Sequence, residues 1–168
     1  MQNSDRIELP KSAVTGIEYV LTPWDVLPET WAEVDSVALA VRLHFEDEVV
    51  EVRWQTENGS ERLTVQTGMG SGFTVETATV DVSSRWPSFV GHVIERQLVG
   101  YQETNVGREL WTTRFEATDG ASLVISLGDF METGELTYTA DNLIVTASME
   151  VSRAFRTLCS ETNAWIAD

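Results

Sequence analysis

The sequence is poor in positive charge. Lys11 is the only lysine among 168 residues, and 11 basic residues face 27 acidic ones, which gives a formal net charge of −16. A field of that sign repels phosphates, so we expect no nucleic-acid binding through a basic face. The same field attracts a basic protein, and this is one interpretation of the charge beside plain solubility and a salt-adapted surface.

Cysteine and long apolar runs are also scarce. Cys159 is the only cysteine, so no disulfide forms within the chain, as is usual in a reducing compartment. No stretch approaches the ~20 apolar residues of a membrane span, and the opening MQNSDRIELP lacks the apolar run of a signal peptide. We therefore predict a cytoplasmic protein with no membrane segment.

Core-forming residues are plentiful. The chain is 42% hydrophobic and has six tryptophans and six phenylalanines, and a chain of this length buries roughly 70% of its unfolded surface. We predict a single domain over residues 1–168. Residues 14–82 and 92–158 each contain an aromatic residue, an acidic turn and an alternating strand, which suggests a pseudo-repeat.

Alternating apolar residues predict three antiparallel strands between residues 37 and 67. The first runs to Phe45, which we pair with Val50 across the turn Glu46-Asp47-Glu48, so that all apolar side chains share one face. By the same register Leu43 faces Val52.

Asn58-Gly59 is a strong hairpin signal, because both residues tolerate positive φ. This turn sets Trp54 opposite Leu63 and Val52 opposite Val65.

Three glycines alternate in TVQTGMGSGFTV, at positions 68, 70 and 72. A phosphate-binding loop needs a helix after it, whereas FTVETATVDV is strand-like. We therefore predict a hairpin loop that pairs Thr67 with Phe73 and Val65 with Val75, and no nucleotide site.

The C-terminal half predicts a second meander. Thr118-Asp119-Gly120 suits a three-residue loop that sets Phe115 opposite Leu123 and Thr113 opposite Ile125. A further hairpin is predicted about Asp141-Asn142, with Leu136, Tyr138 and Ala140 facing Ala147, Val145 and Leu143. Helices are expected near 28–34, at 84–90 before a strand at 92–101, and at 148–159 behind a Ser148 cap.

Candidates for chemistry are few. His44, Glu46 and Glu48 alternate and could bind a metal, but an exposed acidic turn is the simpler interpretation. Cys159 falls at the end of the predicted C-terminal helix, where the dipole disfavours a thiolate. His92 could line a pocket or be structural. We expect no catalytic residue, no metal and no cofactor.

These observations predict a mainly β domain of antiparallel meanders, forming a sandwich or partly open barrel with a C-terminal helix. We interpret it as a non-enzymatic interaction module of the inhibitor or immunity type, binding a basic partner; the oligomeric state is left open. The predicted contact residues are Glu46, Asp47, Glu48 and Glu51.

The alternative is an apolar-ligand barrel, with a pocket formed by Trp54, Trp111, Tyr138 and His92. Trp24 and Trp165 have no assigned face, and exposed together they would form an aromatic anchor.

Overall fold

Strands make up most of the regular structure. The computed structural model describes residues 5–25, 29–31, 33–130, 136–137, 141–148 and 150–151. In chain order, the strands in these ranges are β1 (Gly16–Leu21), β2 (Glu29–Trp31), β3 (Val34–Val37), β4 (Ala40–His44), β5 (Val49–Glu57), β6 (Ser60–Thr67), β7 (Ala78–Asp81), β8 (Ile94–Thr104), β9 (Gly107–Ala117), β10 (Ser122–Leu127), β11 (Asp129–Phe130), β12 (Leu136–Thr137) and β13 (Leu143–Thr146).

The strands form two main antiparallel sheets. The first has the order β6-β5-β4-β1-β7 and the second the order β2-β3-β13-β10-β9-β8, while β11 and β12 pair separately. One cluster of buried apolar side chains draws on both main sheets, so the two sheets share a core. The mainly β prediction is confirmed, and in the described part of the chain neither sheet closes into a barrel.

The hairpin at Asn58-Gly59 is confirmed. Asn58 has φ 52° and Gly59 has φ 78°, and Trp54 pairs with Leu63 as predicted. Both turn residues occupy the left-handed region, where glycine carries no Cβ penalty. The local sequence therefore determines this register.

The register predicted for the preceding hairpin is wrong by two residues. Leu43 pairs with Val50 rather than with Val52, because the Phe45 amide donates to the Glu48 carbonyl at 2.9 Å and shortens the turn. A shift of two keeps every side chain on its face, so the apolar pattern alone does not exclude it.

The strand predicted to start at residue 37 is interrupted. Val37 ends β3 in the second sheet, and Ala40 begins β4 in the first. Between them the Leu39 amide donates to the Val20 carbonyl at 3.2 Å. Val37 and Val41 both belong to the shared core, so the apolar pattern on either side hides the break, whereas Leu39 packs in a separate cluster with Val20 and Ala40.

The predicted pairing of β6 with residues 73–75 is wrong. Residues 68–77 contain no strand, and β7 pairs with β1, with Val20 opposite Thr79. These residues connect one edge of the first sheet to its other edge, and we call them the crossing segment.

The loop at Thr118-Asp119-Gly120 is confirmed in the second sheet. Phe115 pairs with Leu123, and Gly120 has φ 89°. The hairpin predicted about Asp141-Asn142 is wrong, because β13 pairs with β10 and β3, and Leu136 pairs with Phe130.

None of the three predicted helices is supported by the described residues. Residues 29–31 and 34–37 are strands, and the helix expected at 84–90 is a single 3-10 turn, Ser83–Arg85, followed by irregular turns and β8. The C-terminal helix is not supported: residues 152–159 lie outside the described residues, although the Ser148 hydroxyl accepts from the Val151 amide at 3.3 Å. In the described ranges no helix has the length and apolarity to cross a membrane.

Candidate functional site

The predicted acidic patch divides into an exposed part and a buried part. Glu46, Asp47 and Glu48 are exposed at the β4–β5 turn, and we call them the acidic tip. Glu51 is 0% exposed, so the prediction that it is exposed is wrong. It lies on the outer face of the first sheet, but two arginines and the crossing segment cover it.

A row of charged side chains crosses this outer face. Arg42 Nη1 lies 3.0 Å from Glu18 Oε1, and Arg42 Nε lies 2.9 Å from Glu51 Oε2. Burial lowers the pKa of Arg42, but its hydrogen bonds to Glu51 and Glu18 raise the pKa overall. Arg53 Nε donates to the other Glu51 oxygen at 2.6 Å. The Glu51 carboxylate is therefore compensated on both oxygens, as a buried charge requires.

Glu51 and Arg53 also hold the crossing segment against the sheet. The Gly70 amide donates to Glu51 Oε1 at 3.2 Å, and Arg53 Nη1 donates to the Ser71 carbonyl at 2.8 Å. The Arg53 guanidinium also lies 4.0 Å from the centroid of the Phe73 ring, within the range of a cation–π contact. A Cβ at position 70 would come 2.9 Å from Arg53 Nη2, so glycine permits this close approach.

A cleft of about 630 Å³ lies between the crossing segment and the sheet. Its apolar lining is Trp54, Phe73, Leu39, Val75 and Ala38; its polar lining is Thr22, Arg53, Gln55, Thr56, Ser71, Gly72, Thr74 and Asp141. Trp54 is fixed in place because its indole Nε1 donates to the Ala38 carbonyl at 2.8 Å. The cleft therefore combines an aromatic wall with a polar margin.

An exposed tryptophan lies close to this cleft along the chain. Trp24 is 73% exposed, and it lies two residues after Thr22, which lines the cleft. The Thr22 hydroxyl donates to Asp25 Oδ2 at 3.1 Å, and the Asp25 amide donates to the Thr22 carbonyl at 3.0 Å. This turn presents the indole to solvent, where it buries little apolar area.

A second polar cluster lies between the sheets, with Tyr19, Asp35 and Trp86 buried and Arg85 exposed at its edge. The Tyr19 hydroxyl donates to Asp35 Oδ2 at 2.9 Å and accepts from Trp86 Nε1 at 2.8 Å, while Arg85 Nε lies 2.9 Å from Asp35 Oδ1. Burial first, and then the charge of Asp35, raise the pKa of Tyr19 far above its ordinary value. Arg85 and Trp86 also line a smaller cavity of about 270 Å³.

Of the predicted apolar-pocket residues that the structure describes, Trp54 alone lines the cleft. Trp54 lines the cleft, whereas Trp111 is buried at 2% exposure in the shared core. His92 Nε2 lies 3.5 Å from Asp119 Oδ2 beside the loop after β9. Tyr138 lies outside the described residues, as do Cys159 and Trp165.

The metal interpretation of His44 has no support in the described ranges. His44 Nε2 lies 3.9 Å from Glu18 Oε1, and no group of three or more histidine, cysteine or acidic side chains there is arranged to hold a metal ion.

Sequence reasoning missed most of the cleft. Phe73 and Val75 were assigned to a strand, and their role depends on the path of the crossing segment. Asp35 was also missed, although an aspartate within an apolar strand pattern is a signal of a buried polar cluster.

A scan against protein-family models finds no match. A search of the curated proteins and a search of the solved structures each find no significant match. Evidence about function therefore comes from the geometry of this chain.

Proposed function

We propose that this protein is a non-enzymatic interaction module that binds a basic protein partner in the cytoplasm. The observation that carries the proposal is the exposure of Trp24. Its side chain is 73% exposed, and it lies two residues along the chain from Thr22, which lines the aromatic cleft. Tryptophan is highly buried on average, and it is enriched among the interface residues that dominate binding energy.

The cleft provides the complementary half of such an interface. Val75 is 44% exposed, and together with Phe73 and Trp54 it forms part of the apolar lining of the cleft. An apolar centre with a polar margin is the usual anatomy of a protein interface. We interpret the two sheets as the layers of a sandwich that supports this surface rigidly.

Charge decides the kind of partner. The net charge of −16 favours encounter with a positively charged protein and repels an acidic one. Glu48, the residue of the acidic tip nearest to β5, lies about 20 Å from Trp54 along the strand, at ~3.3 Å per residue. We assign the acidic tip to the acceleration of encounter, whereas the cleft supplies the contact that holds the complex.

A small apolar ligand is the second candidate. The volume of about 630 Å³ falls within the range of roughly 300–1,000 Å³ typical of small-molecule sites. In this alternative the ligand occupies the surface cleft rather than the interior of a barrel.

Affinity capture with matched variants tests the proposal. Wild-type protein and a Val106→Ser variant, which changes another exposed apolar residue (52% exposed) in the turn between β8 and β9, should retain the same basic proteins. The double variant Trp24→Ser, Val75→Ser should lose them. The triple variant Glu46→Gln, Asp47→Asn, Glu48→Gln should retain them with a slower association rate at low salt.

The proposal fails if all four proteins capture the same set, or if the retained proteins are acidic. Retention of a small apolar molecule by the wild type, lost in the double variant while no protein is retained, would favour the second candidate.

A further inference from the structure

The cleft lining contains two charged residues in the described part of the chain, Arg53 and Asp141. Arg53 is committed to the structure, because its guanidinium donates to Glu51 at 2.6 Å and to the Ser71 carbonyl at 2.8 Å. The buried Glu51 carboxylate neutralises it. Arg53 therefore has little charge to offer an anionic ligand.

Asp141 is in the opposite situation. It is exposed, and among the residues that the structure describes it has no ion-pair partner. Its neighbour Asn142 is held in place: its carbonyl accepts from the Gly128 amide at 3.1 Å, and its side-chain amide donates to the Ser36 hydroxyl. The cleft thus presents one uncompensated carboxylate, on a fixed piece of backbone, to the same space as the aromatic wall.

We propose that the cleft binds a lysine or arginine side chain of the partner, flanked by apolar residues, with Asp141 as the counter-charge. The apolar stem of such a side chain packs on apolar surface while its head stays polar. The head stacks on an aromatic face and pairs with a carboxylate. This inference rests on the proposed function and specifies the chemistry of the segment that the cleft recognises.

Three blocked peptides that differ in one residue provide the test. Their sequences are Gly-Leu-Arg-Leu-Gly, Gly-Leu-Gln-Leu-Gly and Gly-Leu-Glu-Leu-Gly, each acetylated and amidated. Each is titrated into isotope-labelled protein, and the indole N–H signal of Trp54 and the amide signal of Gly72 report occupation of the cleft. We expect the arginine peptide to bind roughly two- to fivefold more tightly than the glutamine peptide, and the glutamate peptide to bind most weakly.

A matched pair of variants separates Asp141 from the general negative field. Asp141→Asn and Glu95→Gln each remove one exposed carboxylate charge, the first in the cleft and the second on β8 of the second sheet. Asp141→Asn should abolish the preference for arginine and leave the glutamine peptide unaffected, whereas Glu95→Gln should keep the preference.

Three results would overturn the inference: equal affinities in the wild type, no shift of Trp54 or Gly72 with any peptide, or loss of the preference in Glu95→Gln but not in Asp141→Asn. None of these would remove the proposed function, because that depends on capture of a partner through Trp24 and Val75. Conversely, an arginine preference mediated by Asp141 would stand even if no protein were captured.

Discussion

The guanidinium of Arg53 lies 4.0 Å from the centroid of the Phe73 ring. One residue belongs to β5 and the other to the crossing segment, so this contact joins the charged row on the sheet to the wall of the cleft. Arg53 also binds the buried carboxylate of Glu51. The shape of the cleft therefore depends on an ion pair that makes no contact with solvent on its acidic side.

Loss of this arginine should destabilise the protein strongly. Arg53→Met leaves Glu51 buried with only Arg42 to compensate it, and breaking a buried pair costs about 3 kcal/mol. Urea unfolding measures the difference. The control is Arg96→Met, whose side chain is 50% exposed in its pair with Glu116 and which should cost less than about 1 kcal/mol. Equal losses in the two variants would contradict the structural role of Arg53.

Two glycines of the crossing segment should respond differently to the same change. In Gly70→Ala the new Cβ would overlap the side-chain amide of Gln66 and come 2.9 Å from Arg53 Nη2, whereas at Gly72 nothing lies within 4 Å. We expect Gly70→Ala to cost about 1–2 kcal/mol, as overpacking does, and Gly72→Ala to change the unfolding free energy by less than about 0.5 kcal/mol. Amide shifts at Ser71 and Phe73 should move in the first variant only. The reverse order would show that the segment takes another path.

Turn chemistry explains what the sequence could predict of this fold. Asn58-Gly59 and Thr118-Asp119-Gly120 act through φ angles that few other residues adopt, so the turns and the registers that follow from them are local properties. The turn at Glu46-Asp47-Glu48 has no such residue, and the strand register predicted there is wrong by two residues.

The local alternation of apolar and polar residues does not show which distant strands pair. β1 pairs with β4 and β7, and β3 pairs with β13, but an alternating strand looks the same whichever strand lies beside it. The burial of Glu51 has the same origin: its place in the alternating pattern predicts a side chain that faces water, but Arg42, Arg53 and the crossing segment cover it. The cleft is built by that segment and was therefore outside the reach of the sequence pattern.

Positive φ gives a prediction for the two confirmed turns. Gly59 has φ 78° and Gly120 has φ 89°, and an L-residue with a Cβ pays roughly 1–2 kcal/mol in this region. Gly59→Val and Gly120→Val should each lower the melting temperature, while Gly72→Val, in open space and without a positive φ, should not. Wild-type melting temperatures in the first two would exclude these turns.

The buried Tyr19 hydroxyl should make the protein sensitive to alkaline pH. Its pKa lies above the ordinary value of 10.0, first because of burial and then because of the nearby Asp35 charge. Above about pH 10 the unfolded chain releases this proton and the folded chain keeps it, so rising pH favours unfolding by about 1.4 kcal/mol per pH unit. The stabilisation is fully present below pH 10 and is lost as pH rises towards the folded pKa.

Urea unfolding between pH 9 and pH 11 tests this through Tyr19→Phe. The variant should be less stable than wild type at pH 7 by about 1–2 kcal/mol, because Asp35 loses a donor and Trp86 loses an acceptor. Its stability should nevertheless fall less steeply above pH 10, by about 1.4 kcal/mol per unit. Tyr101→Phe is the control: the pKa of the half-buried Tyr101 is also raised, by burial and then by Asp5, and its removal should flatten the profile less. Parallel profiles for wild type and Tyr19→Phe would mean that the hydroxyl ionises freely in the folded protein, and the network of Tyr19, Asp35 and Trp86 would then be open to water.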